Sequence, residues 1–417
     1  MDKRLKTGTL KRLASRTEIR STDLAAMEIL WISKMIIMKC KGRLIGLFSV
    51  IVIDNGTGFV KAGFAGDSFP KVEFPSVVGR PRYIPVVAGL KYRSLYVGGS
   101  AQARRGILSL TYPIRQGIVY DWKDLETIWD HTFHHLLEVD PTEHAVIVSE
   151  APKNPLRNRE LMLEILFEKF GCPGAFVAIQ AVLALYTGGR TTGIVLDSGD
   201  GVSHAVPVYE GYAIHHAISR LEYAGRALTD YLSQLLTERG YYFTSSAEVE
   251  IVRDIKERLC FISKDFVADM KACAKDPSTY DRTYELPDGQ VLTVGSERFR
   301  CPEVLFRPSF LNLDGPGFQG SLYDSVMKCD VDIRRDILEN VLLSGGNTLF
   351  PGIAERLQNE LQDLCSSRVR VWAPAERRYA VWLGGSILGS LSTFKEICIT
   401  KSEYEDYGPK IVHRKCF

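Results

Sequence analysis

The stretch Ile51-Val-Ile-Asp-Asn-Gly-Thr-Gly58 is repeated in outline by Ile194-Val-Leu-Asp-Ser-Gly-Asp-Gly201. In both copies an apolar run typical of a buried strand ends at an aspartate, and glycines follow two and four residues later. A second apolar run comes next, at Phe59–Phe64 and at residues 202–209, which predicts a β-hairpin in each copy. The copies lie 143 residues apart, about one domain length. The sequence therefore predicts a duplicated α/β domain, with the two hairpins facing each other across a cleft.

Each hairpin turn predicts a phosphate-binding loop, because glycine lets backbone N–H groups approach anionic oxygens without obstruction by a side chain. Two such loops facing each other would hold a triphosphate from both sides. The candidate phosphate-binding residues are Gly56, Thr57, Gly58, Lys61, Gly199 and Gly201, and Asp200 is an acid in the same place. The pattern is neither a Walker P-loop nor a Rossmann fingerprint, since neither glycine motif occurs at a strand–helix junction.

Two aspartates close the apolar strands and are candidate metal residues. Asp54 and Asp197 suit a hydrated Mg²⁺ (or Ca²⁺), because Mg²⁺ keeps several of its waters and takes few protein ligands. An apolar run also ends at Gly345-Gly346, where backbone can approach a flat base or ribose. Residues 253–257 form a helical pattern that places Arg253, Lys256 and Glu257 on adjacent turns. On spacing alone, a solvated charged face is the simpler interpretation of that pattern.

Composition indicates an ordinary globular protein with a basic N-terminal segment. Residues 1–50 hold eleven Lys and Arg against four Asp and Glu, whereas the rest holds 41 against 46. Residues 1–47 fit a disordered extension, a targeting segment or a gene-model artefact, and these interpretations stay open. Residues 24–38 are too short and too charged for a membrane span. Nine scattered cysteines without a C-x-x-C pair favour a reduced, cytoplasmic protein.

From about Val50 to Phe417 the chain resembles actin, either a conventional-like actin or a close actin-related protein. The resemblance rests on many ordered motifs, among them Asp54-Asn-Gly-Thr-Gly, Lys61-Ala-Gly-Phe-Ala-Gly, Gly79-Arg-Pro-Arg, Val177-Ala-Ile-Gln-Ala-Val, Gly189-Arg-Thr-Thr-Gly, Leu343-Ser-Gly-Gly and the ending Ile411-Val-His-Arg-Lys-Cys-Phe. It implies an α/β fold of two RNase-H-like domains with four subdomains around a nucleotide cleft. The implied outer domain is 48–187 plus 380–417, with a filament-contact loop at 76–112. The implied inner domain is 188–379, with a subdomain at 224–313.

The resemblance also implies the roles of the site residues. ATP and a divalent cation would occupy the cleft, with Asp54 and Asp197 ordering the waters of the cation. Asp200 and Val202 would join the residues of the two turns in contacting the phosphates. Gln180 would position the attacking water, with Asp197 and His204 completing the catalytic set. The nucleoside would lie among Arg253, Lys256, Glu257, Gly345, Gly346, Phe350 and Arg378. Arg378 stands where the family usually has Lys, which keeps the charge but not the shape.

The resemblance implies a slow, assembly-stimulated ATPase that forms cytoskeletal filaments and has no direct nucleic-acid contact. Actin-binding proteins would dock near Tyr186, Tyr212, Leu383 and Ile387. Several segments depart from the family: the basic N-terminus, Gln116 in place of a modifiable His, and the loops at 83–93 and 312–320. These changes favour a second hypothesis, a non-polymerising actin-related subunit of a larger complex. A sugar kinase of the same superfold is a third, which the actin-like C-terminus disfavours.

Three other patterns do not predict sites. His131 and His135 are four residues apart on a helix predicted at 124–139 with Asp124 as its N-cap, but the Glu of an H-E-x-x-H zinc motif is missing. Cys416 is expected to be an exposed thiol without a catalytic partner. Trp129 and Phe133, with Trp122, are expected in the core rather than on a nucleic-acid stacking surface.

Overall fold

The computed structural model describes residues 49–82 and 94–416. The basic extension at 1–47 and the altered loop at 83–93 lie outside the described residues, as does Phe417. Within the described ranges no helix is both long enough and apolar enough to cross a bilayer.

The strands follow the predicted hairpins and the parallel strands beside them. In chain order they are β1 (Val50–Asn55), β2 (Phe59–Phe64), β3 (Val72–Pro75), β4 (Val78–Pro81), β5 (Tyr96–Val97), β6 (Leu108–Thr111), β7 (Ile114–Arg115), β8 (Ile118–Val119), β9 (Ala145–Glu150), β10 (Gly174–Ile179), β11 (Gly193–Ser198), β12 (Ser203–Tyr209), β13 (Tyr212–Ala213), β14 (Ser219–Leu221), β15 (Arg282–Glu285), β16 (Val291–Val294), β17 (Val341–Ser344), β18 (Val371–Trp372) and β19 (Ile399–Thr400).

The helices lie between the strands and cover the sheets. They are α1 (Gly99–Ala103), α2 (Trp122–Asp130), α3 (Leu156–Glu164), α4 (Gln180–Tyr186), α5 (Gly225–Glu238), α6 (Ser246–Leu259), α7 (Phe266–Lys275), α8 (Glu297–Glu303), α9 (Phe318–Met327), α10 (Val331–Leu338), α11 (Ile353–Leu364), α12 (Ala380–Ser390), α13 (Phe394–Ile397), α14 (Lys401–Tyr407) and α15 (Val412–Lys415). Two π-helical segments, His131–Leu137 and Ile165–Lys169, extend α2 and α3.

Two large sheets repeat the same arrangement. The first has the order β19-β10-β9-β1-β2-β3, and the second has the order β13-β12-β11-β17-β18 with β14 beside β12. In each, a hairpin is antiparallel while its first strand pairs in parallel with a later one: β1 with β9, and β11 with β17. Strands β1, β9 and β11 are buried throughout, as expected where both faces of a sheet are covered. The predicted duplication is present.

A shared core connects the two sheets. Val52 of β1 and Val195 of β11 belong to the same buried cluster as α4 and α12. The two helices approach so closely that a Cβ at Gly384 would collide with the backbone carbonyl of Leu183. This helix pair therefore forms the packed junction below the facing hairpins.

Two predictions about local structure are wrong. The helix predicted at 124–139 begins at Trp122, because Asp121 accepts the hydrogen bond from the Asp124 N–H and is the N-cap. Asp124 is instead buried and pairs with Arg80. Cys416 is not exposed: its side chain is 0% accessible, and its sulfur accepts a hydrogen bond from the Val177 N–H at 3.4 Å. Burial raises the pKa of this thiol to about 12.

The predicted core positions are confirmed. Trp129 and Phe133 are fully buried in the core of the first sheet, and Trp122 packs against it while partly buried. His131 and His135 stack 5.4 Å apart, and residues 49–82 and 94–416 contain no cluster of three metal-ligating side chains.

Candidate functional site

The turns of the two hairpins contact each other across the gap between the sheets. A Cβ placed on Gly58 would lie 2.8 Å from the Asp200 Cβ, and one on Gly201 would lie 2.7 Å from the Thr57 Cγ2. Both distances are shorter than real carbon–carbon contacts, so any side chain here would separate the turns. The Thr57 Oγ1 also accepts a hydrogen bond from the Gly117 N–H at 3.0 Å. Glycine at these positions is thus required by loop-to-loop packing as well as by access to a ligand.

The facing turns enclose one side of a cavity of about 370 Å³. The predicted phosphate, nucleoside and metal residues all line it, and so does Gln180: Asp54, Gly56, Thr57, Gly58, Lys61, Gln180, Asp197, Gly199, Asp200, Gly201, Val202, Arg253, Lys256, Glu257, Gly345, Gly346, Phe350 and Arg378. Of the predicted site residues, His204 is the one that does not line this cavity. Positions spread over three hundred residues of chain therefore meet at one place.

Asp54 is buried at the end of β1 and is held from two directions. The Lys61 ammonium donates to it at 2.9 Å, since the β1–β2 register places the two residues opposite each other. The Ser149 hydroxyl donates to its other oxygen at 2.7 Å. Burial alone would lower the pKa of Lys61, but the carboxylates of Asp54 and Glu73 outweigh burial and leave that pKa raised. Lys61 therefore stays a cation on the cavity wall.

Gln180 begins α4 directly after β10, so the end of the strand fixes its position. Its Nε2 lies 3.4 Å from the Asp54 Oδ1, 3.4 Å from the Asn55 carbonyl and 3.3 Å from the Ser149 Oγ. These hydrogen bonds are long and therefore weak, so the amide stays beside Asp54 but is not bound firmly to any one partner. Gln180 can therefore orient a polar group or a water in the cavity next to that aspartate.

Asp197 occupies in β11 the place that Asp54 occupies in β1. Burial raises the pKa of its carboxyl, and the charge of Asp54 adds to the effect while Lys61 opposes it. Two carboxylates therefore act on each other across the cavity, which is the electrostatic setting that a divalent cation relieves.

His204 lies opposite Asp197 in the β11–β12 register but is 1% exposed and behind the cavity wall. Burial, together with the charges of Arg220 and Lys153, lowers the pKa of its imidazole to about 3. Its Nε2 has no hydrogen-bond partner among the residues described. His204 is thus a neutral imidazole next to the site rather than part of its surface.

The far end of the cavity is formed by α6 and the Gly345-Gly346 turn. The Lys256 ammonium donates to the Gly225 carbonyl at 2.7 Å and to the Thr229 hydroxyl at 2.9 Å, so it ties α6 to the start of α5. Burial lowers the pKa of this amine. Gly345 has a φ of +88°, and a Cβ there would collide with the Ser198 carbonyl, which explains why glycine occupies it.

Phe59 and Glu73 are among the wall residues that the sequence did not predict. The guanidinium carbons of Arg253 and Arg378 lie 5.1 Å and 5.7 Å from the centre of the Phe59 ring. Glu73 accepts two hydrogen bonds from Arg378, at 2.7 Å and 3.1 Å. Only the β2–β3 register, which pairs Lys61 with Glu73, could have placed that carboxylate at the site.

The wall chemistry fits a nucleotide with a hydrated divalent cation. A Cβ on Gly199 or Gly346 would meet no described atom within 4 Å, so backbone faces open space at both ends of the cavity. The Asn347 Oδ1, also on the wall, is buried and has no hydrogen-bond partner within the described ranges. Asp54 and Asp197 are two acids rather than a full ligand set, which suits a cation that keeps its waters.

The predicted docking cleft for partner proteins lies beside α4 and α12. Ile387, Leu388 and Leu391 are buried, Tyr186 and Leu383 are partly buried against the shared core, and Tyr212 is 53% exposed. Burial raises the pKa of the Tyr186 hydroxyl to about 12. The cleft therefore presents one exposed aromatic ring beside a floor that is mostly buried.

The protein-family comparison agrees with this arrangement. Residues 46–417 match the family model described as Actin. The chain therefore belongs to the actin family, and its fold is the predicted two-domain α/β architecture of that family.

Proposed function

We propose that this chain binds ATP with a divalent cation, hydrolyses it slowly and assembles into filaments. The observation that carries the proposal is the contact between the two Asp-Gly turns, Gly58 against Asp200 and Gly201 against Thr57, at the edge of one polar cavity. Two such turns at the edge of one cavity would present backbone N–H groups of both sheets to the same anion. The proposed location is the cytoplasm and its cytoskeleton.

The chemistry assigned to the residues is positioning and electrostatic stabilisation. The backbone of both turns and the Lys61 ammonium would hold the terminal phosphates. Asp54 and Asp197 would orient the waters of the cation, which when bound offsets the phosphate charge. Gln180, held loosely beside Asp54, would orient the attacking water. His204, behind the wall, would act only through intervening groups.

The proposed domain boundaries follow the two sheets. The first sheet draws its strands from 50–75, 145–179 and 399–400, within the proposed outer domain of 48–187 plus 380–417. The second sheet draws all its strands from 193–221 and 341–372, within the proposed inner domain of 188–379. The chain would then cross between the domains twice, directly after α4 ends and directly before α12 begins. These two helices are the pair that forms the shared core.

The second candidate function is a non-polymerising subunit that uses ATP structurally. The observation that favours it is the altered segment 312–320, where Asn312 adopts a left-handed conformation with φ of 55° and Leu313 is 41% exposed. The same candidate is favoured by the sequence of the loop at 83–93.

Two measurements on the full chain separate these functions. Titration with a fluorescent ATP analogue and Mg²⁺ should give saturable binding, and Asp197→Asn should weaken it because one of the two cation-orienting carboxylates is lost. Sedimentation with ATP and salt should give a pellet above a threshold concentration, with faster phosphate release. Saturable binding with no pellet at any concentration would eliminate the filament function and favour the subunit. Absence of nucleotide binding would refute both.

A further inference from the structure

Glu73 places a carboxylate on the nucleoside side of the cavity. Its Oε1 accepts both hydrogen bonds from Arg378, and its Oε2 accepts one from the Tyr379 hydroxyl at 3.0 Å. Both oxygens are therefore occupied by groups from the segment Arg377–Tyr379, although Glu73 belongs to β3 of the first sheet. Glu73 therefore balances the charge of Arg378 at the wall. Two N–H groups of the Arg378 guanidinium donate to the same carboxylate oxygen.

The same guanidinium also rests on an aromatic ring. Arg378 and Arg253 both contact Phe59, the first residue of β2, directly after the first phosphate turn. Arg253 is itself paired with Glu250 at 3.1 Å and with Glu257 at 3.2 Å. Each of the two arginines on the wall is thus held by carboxylates in addition to the ring.

The charges that line the cavity do not favour an anion. The acids are Asp54, Glu73, Asp197, Asp200 and Glu257, and the cations are Lys61, Arg253, Lys256 and Arg378. Arg378 pairs with Glu73, which stands on the wall itself in β3 and has 21% of its side chain accessible. Lys61 and Arg253 also pair with acids of the wall, Asp54 and Glu257. The acids therefore exceed the cations by one.

We propose that Glu73 is a positioning residue that sets the nucleotide affinity of this site by holding Arg378 on Phe59 and away from the phosphates. The inference rests on the proposed ATP-binding function. In this arrangement the site binds ATP less tightly than its loops allow, and the release of Arg378 would tighten binding. A unit charge at about 10 Å through an effective dielectric of ~20 corresponds to roughly a ten-fold change in affinity.

The test compares Glu73→Gln with the wild-type full chain by equilibrium titration with Mg·ATP and with adenosine. Glu73→Gln should bind ATP roughly ten-fold more tightly, and the gain should shrink as salt rises because it is electrostatic. Adenosine, which has no phosphate, should gain much less than ATP from this substitution. Arg378→Gln alone should weaken ATP binding, because it leaves the Glu73 carboxylate on the cavity wall without its cation.

Two further variants decide the mechanism. In the Arg378→Gln background, Glu73→Gln should bring a smaller gain than in the wild type, because no guanidinium is then released toward the phosphates. Glu339→Gln, which removes the acid of the exposed Arg335–Glu339 pair, is the matched control for net charge and should leave affinity unchanged.

Three results would overturn the inference while leaving ATP binding intact: an unchanged affinity in Glu73→Gln, an equal gain for adenosine, or a gain of the same size in the Arg378→Gln background. If the wild-type chain binds no ATP, the proposed function fails and the inference falls with it.

Discussion

Acidification from pH 7 to pH 5 should destabilise the folded protein through His204. This imidazole is 1% exposed in β12, and its folded-state pKa is about 3 because burial and the nearby charges of Arg220 and Lys153 oppose protonation. Both cations are fixed by backbone carbonyls: Arg220 donates to the Gln116 carbonyl at 3.1 Å and Lys153 to the Ile218 carbonyl at 2.8 Å. Neither can move away from the imidazole without losing that bond.

The sign and size of the effect follow from proton linkage. In the unfolded chain His204 titrates near pH 6.5, so below that pH the unfolded state binds a proton that the folded state excludes. The contribution of His204 to stability is therefore complete above pH 6.5 and is lost as the pH falls toward 3. Between pH 7 and pH 5 the loss amounts to about 2 kcal/mol of unfolding free energy.

The assay is urea unfolding of the wild type and of His204→Asn at pH 7 and pH 5, without nucleotide. Other groups also titrate in this window, so the informative quantity is the difference between the two proteins. The variant should lose about 2 kcal/mol less than the wild type on acidification. His135→Asn, which removes an exposed imidazole, is the matched control and should behave as the wild type. Equal losses in the wild type and in His204→Asn would refute the argument for a buried neutral imidazole.

Three further substitutions test other parts of the structure. Gly201→Ala should weaken ATP binding by roughly ten-fold or more, because its methyl group collides with Thr57 and separates the turns; unchanged affinity in the same titration would contradict the loop contact. Arg356→Met should cost about 3 kcal/mol in urea unfolding, because it removes the guanidinium at 3.2 Å from the fully buried Glu303 and leaves that carboxylate only Arg307 at 3.3 Å; a loss below about 1 kcal/mol would show that the pair is dispensable. Gln180→Ala should slow phosphate release by about 100-fold with little change in ATP affinity, and an unaltered rate in a single-turnover assay would remove Gln180 from the water-positioning role.

The sequence predicted the loops well because their signal is local. Apolar strands that end at Asp54 and Asp197, each followed by two glycines, indicate the same turn wherever they occur. The family resemblance then identified residues from distant segments, such as Arg253 and Gly346, which the structure brings to one cavity. Spacing alone had favoured a solvated charged face for Arg253.

The wrong and missing predictions have a common cause. In each case the environment of the residue is set by a part of the chain that is distant in sequence. Asp121 and Asp124 are both good helix caps, and only the position of Arg80 explains why the second is buried. Cys416 follows a basic, polar-looking segment, yet its burial depends on β10, more than two hundred residues earlier. Glu73 reaches the cavity through the β2–β3 register, which single-sequence patterns do not specify.

Under the proposed function, the contact between the two turns would give a bound nucleotide a structural role as a tether. Each sheet would contribute one half of the phosphate cradle, so a ligand held by both halves would resist separation of the sheets. Through mass action such a ligand stabilises the closed arrangement by about 2.7 kcal/mol at a hundred times its dissociation constant. Without it, the sheets are joined by the helix pair α4 and α12, by the contact between the turns, and by hydrogen bonds such as Arg378 to Glu73 and Arg220 to the Gln116 carbonyl. The occupancy of the cavity would then set how firmly the two halves of the molecule act as one body.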